Sequence, residues 1–214
     1  MTLVILVPML GRPHRVAPLL ASIRATCDAR VLFLLTPGDD DVIAAVGEQE
    51  HLFVEREPAG DYARKINRGI LATTEDHIFT GADDLKFWPH WYTHAVRAFR
   101  PGIGVVGTND RCNRRTVRGE HATHMLVTRS YVEQFGTIDE PGKFYHEGYP
   151  HELVDDEAVG TARYRGAFVS VRDSIVEHLH PMNRKAPMDA MYAAQGERIQ
   201  AGRPLYQQRR SLWT

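Results

Sequence analysis

Four short apolar runs, separated by segments of helical pattern, do most to limit what this chain can fold into. Leu3 to Val7, Val31 to Leu35, Leu52 to Val54 and His77 to Thr80 are rich in Val, Ile, Leu and Phe. They are too short for helices and too continuous to alternate, as strands buried on both faces are. After the first, Val16, Leu19, Leu20 and Ile23 recur at helical spacing, with Pro18 tolerable in the first turn. After the second, Asp39, Asp40 and Asp41 lead into Val42 to Val46, the acidic start of a short helix. After the third, Asp61 opens a helix with Tyr62, Ile66 and Ile70 on one face. This alternation predicts a parallel, doubly wound α/β sheet flanked by helices. At 214 residues the chain suffices for one sizeable core, or at most two small domains, and a single domain is expected.

The fourth run ends in Gly81-Ala82-Asp83-Asp84. A buried parallel strand would deliver both carboxylates to the carboxyl edge of the sheet, where open α/β sheets bind ligands. Clustered carboxylates suit a hard divalent cation, Mn²⁺ or Mg²⁺, which in turn can hold a diphosphate. The plain alternative is a solvated turn, since turns often use Asp. Further along, Val176-Glu177-His178-Leu179-His180-Pro181 places His178 and His180 two apart, on one face of a strand. Either nitrogen could join a metal held by Asp83 or Asp84, although a surface or core histidine is the commoner role. Asp155-Asp156-Glu157 opens a helix pattern, where acids complement the dipole. At the mouth of a pocket, one of them could instead act as a general base. Arg12, Arg64, Lys65, Asn67 and Arg68 could contact a nucleotide or its diphosphate, against the alternative of solvated faces.

Beyond Asp84 the pattern changes. Trp88 to Phe99 reads as an aromatic-rich helix and Ile103 to Val106 as a strand. Arg111 to Glu120 lacks apolar periodicity and reads as a loop. Met125 to Val127 is a strand, Tyr131 to Phe135 a short helix ended by Gly136, and Val154 to Arg165 a longer one. Ala167 to Val171 and Ile175 to Glu177 are strand candidates, and the polar tail carries one helix near Met188 to Gln200.

Composition excludes several classes. The net charge of −1 gives no field for non-specific nucleic-acid binding. Cys27 and Cys112 lack metal spacing, so a reducing compartment is the default and a cytoplasmic location is expected, or the host cytoplasm for a phage-encoded chain. No segment approaches membrane-spanning length, so transmembrane association is not expected. Neither G-x-G-x-x-G nor a P-loop occurs, which argues against a dinucleotide oxidoreductase and a P-loop kinase.

In their order and spacing these residues resemble the GT-A-fold glycosyltransferases, most closely the family-2-like group that uses nucleotide sugars. The resemblance covers residues 3 to 181. Val4-Ile5-Leu6-Val7-Pro8 to Arg12 is similar to the family's opening strand, and Lys65-Ile66-Asn67-Arg68-Gly69 to its nucleotide-contacting helix. Gly81-Ala82-Asp83-Asp84 resembles the D-x-D motif, with Ala82 where the strict motif has an acid. Met125 to Gly136 resembles the acceptor-side strand and helix, and Asp155-Asp156-Glu157 to Gly166 the helix with the catalytic acids.

The resemblance implies a GT-A mixed sheet over 1–181, with a nucleotide-sugar-binding half (1–84), an acceptor and catalytic half (85–181) and a helical tail (182–214). It implies a UDP- or GDP-linked sugar bound by Pro8, Arg12, Lys65, Asn67 and Asp83. Mn²⁺ or Mg²⁺ would be held by Asp84, Asp83 and His178, with His180 in reserve. Asp155 would be the base of an inverting transfer, with Asp156 and Glu157 beside it. The acceptor hydroxyl could belong to a protein, glycan, metabolite or modified nucleic acid. Two other readings are a sugar-phosphate nucleotidyltransferase, for which Met9-Leu10-Gly11-Arg12-Pro13 is a poor match to the expected Gly-rich loop, and an inactive nucleotide- or carbohydrate-binding module.

Overall fold

The computed structural model describes residues 1–57 and 61–214. Its centre is an eight-stranded mixed sheet in the order β3-β2-β1-β4-β7-β6-β8-β5. The first half is the expected parallel wing: β1 (Leu3–Pro8), β2 (Arg30–Leu35), β3 (His51–Phe53) and β4 (His77–Thr80). The crossovers are α1 (Val16–Arg24), α2 (Asp40–Val46) and α3 (Asp61–Leu71). Strand periodicity divides β1 between two apolar layers. Val4 and Leu6 face Tyr62, Ile66 and Ile70 of α3. Leu3, Ile5 and Val7 face Val16, Leu19 and Ile23 of α1. Continuous apolar runs are thus required, because both faces of this wing are covered.

The second half mixes directions, with β5 and β7 running against the other strands. β5 (Leu85–Phe87) follows β4 at once; then come α4 (Trp91–Val96), β6 (Val105–Asn109), α5 (Arg114–Val117), β7 (Met125–Thr128), α6 (Arg129–Gln134), α7 (Val154–Tyr164) and β8 (Phe168–His178). β7 runs antiparallel between β4 and β6, β6 is parallel to β8, and β5 is antiparallel to the end of β8. The chain closes with α8 (Ala190–Ala193) and α9 (Gln195–Arg210).

Several expectations need correction. The two strands expected at 167–171 and 175–177 are one strand, β8, with a register shift opposite Thr108 and Asn109. That irregularity lets one strand pair first with β6 and then with β5. His180 lies past the strand end, capping the turn Pro181–Asn183, so it does not share a strand face with His178. The expected loop 111–120 contains α5, capped by the Asn113 side chain. The helix expected over 88–99 is shorter, because Trp88 stays on the sheet through its N–H to the Ile175 carbonyl. The tail holds two helices in place of one.

One contact sets the site. An added Cβ on Gly81 would lie 2.6 Å from the Leu6 carbonyl oxygen. Only a residue without a side chain lets the chain leave β4 pressed against β1, and this delivers Asp83 and Asp84 to the sheet edge.

Candidate functional site

The carboxyl ends of β1 and β4, the start of α3, the end of β8 and the start of α7 surround a cleft of about 750 Å³. Pro8, Arg12, Lys65, Asp83, Asp84, Asp155, Asp156, His178 and His180 all line it. This is the edge where parallel and antiparallel strands meet, so strand ends diverge and leave a crevice.

Two expected residues do not line it. Asn67 turns away, donating to the Tyr145 carbonyl (2.8 Å) and Glu147 (3.0 Å) and accepting from the Phe144 and Tyr145 N–H groups. Glu157 is 3% exposed and is bound by the Arg209 guanidinium (2.7 Å) and the Tyr149 hydroxyl (2.7 Å). Both residues hold elements together.

Asp84 is the hub of the remaining set. Its Oδ2 meets His178 Nε2 at 3.1 Å and accepts the Tyr192 hydroxyl at 2.7 Å. Arg12 Nη1 reaches Asp83 Oδ1 at 3.1 Å and Asp84 Oδ2 at 3.5 Å. Asp189 grips the same guanidinium with both oxygens, at 2.8 and 3.0 Å, and the Tyr192 ring lies 4.0 Å beneath it. Burial opposes charge on Asp84, but His178 and Tyr192 outweigh it and hold the carboxyl well below its usual range. Burial and the Asp84 charge push Asp83 up, to about 7. Burial also works against protonated His178, yet Asp84 raises its pKa on balance.

The other Asp84 oxygen, Oδ1, is buried without a hydrogen-bond partner among the described residues. So is Nε2 of His124, whose Nδ1 is 2.9 Å from the Thr80 carbonyl. An orphan carboxylate oxygen beside imidazole nitrogens is a donor set that fits a divalent cation. Asp84 and His178 would hold it.

At the β1 end of the cleft, Lys65 is 1% exposed and donates to the Met9 carbonyl and the Thr36 hydroxyl, both at 2.7 Å. It ties the loop after β1 to the end of β2, with Asp61 at 3.8 Å. On the opposite wall, Leu153 takes a left-handed conformation (φ 74°) just before α7, a turn that costs a non-glycine residue about 1 kcal/mol. There Asp155 Oδ2 lies 3.0 Å from His121 Nε2, and Arg115 donates to Asp156 Oδ1 at 2.7 Å. Burial opposes charge on Asp155, but His121 outweighs it and the pKa falls. Burial and Asp155 together raise Asp156.

The site also contains residues the sequence reading missed. His121, His124, Tyr192 and Asp189 had no recognised pattern. The pair His121 and His124, three apart before an apolar strand, was the one local signal for two of them. Tyr192 lies 108 residues from Asp84, and Asp189 lies 177 residues from Arg12.

An eight-stranded mixed sheet in this order, with carboxylates at the β4 end and acids opening α7, is the GT-A fold. Among solved structures the chain is similar to a mannosyltransferase from Pyrobaculum calidifontis in complex with GDP-Man and Mn²⁺ (16% identity, TM-score 0.63, 92% of this chain). It spans 60% of that enzyme's length. It is also similar to glucosyl-3-phosphoglycerate synthase from Mycobacterium tuberculosis with phosphoglyceric acid (14% identity, TM-score 0.66, 96% of this chain and 79% of that one). The same enzyme with Mn²⁺, UDP-glucose and phosphoglyceric acid matches at 16% identity and TM-score 0.63 over 92% of this chain and 77% of that one. At these identities the property shared is the fold. No protein-family model and no curated protein matches the chain.

Proposed function

We propose that the protein is a metal-dependent glycosyltransferase that moves a sugar from a nucleoside-diphosphate donor, UDP- or GDP-linked, to an acceptor hydroxyl. The observation that carries this reading is the position of Asp84 and His178 on one wall of a single cleft and Asp155 and Asp156 on another. Two of the similar solved structures hold GDP-Man or UDP-glucose with Mn²⁺, which supports the donor class and the metal.

A divalent cation bound at Asp84 and His178, with Asp83 beside them, would neutralise charge developing on the diphosphate leaving group. The chain's own residues do the rest. Lys65 fixes the loop from Pro8 to Arg12 against β2, so the nucleotide side is rigid before the donor arrives. Arg12 presents a guanidinium matched to phosphate oxygens, and a diphosphate can compete with Asp189 for it. Asp155, held ionised by His121, takes the proton from the acceptor hydroxyl opposite the leaving group, giving inversion at the anomeric carbon. Asp156 is the competing base, because a raised pKa makes it the better proton acceptor.

The test is nucleotide release from UDP- and GDP-sugars with Mn²⁺, for wild type, Asp155→Asn and Asp156→Asn. The variant that loses at least ~100-fold in kcat carries the base, the range typical of general-base removal. The anomer of the product decides inversion. A binding module without turnover is the second reading, favoured by one observation: Arg12 already pairs with Asp83, and Tyr192 with one of the two oxygens of Asp84. Donor binding with no hydrolysis or transfer would establish the module instead.

A further inference from the structure

We infer that His121, Asp155 and Asp156 form a second cation site, distinct from the Asp84–His178 pair and suited to a dication of the Mn²⁺ class. These are the one group of three ligand-type side chains, among the described residues, whose donor atoms already lie within 4.8 Å of one another. The decisive atom is His121 Nδ1. The ring is 1% exposed, and Nδ1 has no hydrogen-bond partner among the described residues. It faces Asp156 Oδ1 at 4.0 Å. That gap is too long for a hydrogen bond, and leaving the atom unsatisfied is costly. An ion bonded to each at roughly 2.0–2.2 Å fits between the two atoms once they close by about 0.5–1 Å, a small side-chain adjustment.

The rest of the ring supports the same assignment. Nε2 lies 3.0 Å from Asp155 Oδ2. In the neutral ring a proton on Nε2 leaves the lone pair on Nδ1. Metal-binding histidines are oriented in this way, with the far nitrogen donating to a carboxylate. Asp156 then supplies the first oxygen and Asp155 holds the ring, with its own oxygens close enough to join. An imidazole nitrogen among the donors favours Mn²⁺ over Mg²⁺. Without the ion, Arg115 supplies the positive charge, donating to Asp156 Oδ1 at 2.7 Å. Its side chain is 54% exposed, so it can swing aside at little cost. A cation here would stand on the acceptor side of the cleft, where an acceptor carrying a carboxylate, phosphate or pair of hydroxyls can bind to it. The inference concerns binding and does not depend on the transfer reaction: with the ion in place Asp155 and Asp156 are engaged by it, and only with the site empty is either free to act as the base.

Counting bound Mn²⁺ by electron paramagnetic resonance, with no nucleotide present, tests it. In the Asp84→Ala protein, whose other pair is broken, one Mn²⁺ equivalent with a submillimolar Kd is expected. Adding His121→Gln to that background should weaken it at least ~tenfold, since losing even a residue that only orients a ligand costs about 10–100-fold. Asp156→Asn, at a more exposed position, should do the same and guards against misfolding of the His121 variant. Arg115→Gln should tighten binding by removing the competing charge. Two results overturn the site: an Asp84→Ala protein that binds no Mn²⁺, or one whose Mn²⁺ is indifferent to both His121→Gln and Asp156→Asn. Loss of one equivalent between wild type and Asp84→Ala reports separately on the Asp84–His178 pair.

Discussion

Single side chains in this cleft are set by what burial does to their charge. His124 is fully enclosed between β4 and the His178 ring, and burial together with His178 lowers its pKa to about 4. The unfolded chain, with an ordinary histidine near 6.5, binds the proton first as pH falls. Stability from this residue is therefore intact above pH ~6.5 and lost progressively as pH drops towards 4. The upper limit is about 3 kcal/mol, at 1.36 kcal/mol per pKa unit. Urea unfolding of the protein in EDTA from pH 7 to 4 should show that decline. His124→Gln, which keeps an N–H for the Thr80 carbonyl, should flatten it. An unchanged slope in the variant would assign the acid sensitivity to other groups. The same scale explains the uneven legibility of the site. Asp83, Asp84 and His178 stand beside a strand end or within one, and position alone marks them. His121 and His124 sit in a segment without periodicity, and their importance comes from neighbours that the local sequence does not contain.

At the scale of elements, the C-terminal helix is fastened by one residue. Arg209 of α9 reaches Glu157 of α7 at 2.7 Å and Asp139, beyond α6, at 2.7 Å. Glu157 and the guanidinium are both buried. Removing one partner of such a pair leaves an uncompensated buried charge, so Arg209→Ala should cost on the order of 3–5 kcal/mol. It should also release amide protection across α9 before the rest of the fold. A loss under ~1 kcal/mol would mean that apolar contacts, such as Trp213 against Gly160, anchor the helix instead. Legibility differs between the two wings for an elementary reason. β1 to β4 are linked by local crossovers whose helices carry the 3.6 period. β5, β7 and β8 are short or irregular, and only distant partners define them. β8 is two strand signals in the sequence and one strand in space, because its register shift is imposed by pairing with β6 and then β5.

For the molecule as a whole, the described helices include none long and apolar enough to cross a membrane. The cleft instead draws on nearly the full length of the chain, from Pro8 to Ile199. A ligand bound there bridges both wings of the sheet. At a hundredfold excess over its Kd, such a ligand stabilises the fold by about 2.7 kcal/mol. A thermal-shift screen of UDP- and GDP-sugars with Mn²⁺ should therefore raise the melting temperature by several degrees for the right donor. Asp84→Ala should remove the part of that rise that needs donor and Mn²⁺ together, leaving only what Mn²⁺ gives without donor. If the variant keeps the full Mn²⁺ effect, the ion is not held by Asp84. Tyr192 and Asp189 add a conformational element, because they occupy Asp84 and Arg12 from the tail. Donor and metal must compete with them, so the tail segment from Asp189 to Ile199 should lose amide protection on binding.

The sequence by itself determined the parallel wing, its helices and the delivery of Asp83 and Asp84 to a sheet edge. Those features follow from periodicity and turn chemistry, which act between residues close in the chain. It also placed His178 and the acids of α7 in the right order. Only the tertiary structure decided that Asn67 and Glu157 hold elements together, that His180 leaves the strand, and that Arg12 pairs with the aspartates while Tyr192 donates to Asp84. It alone brought His121 against Asp155 and Asp156. These outcomes depend on which charges share a buried space, and pairings across 30 to 180 residues carry no local signature.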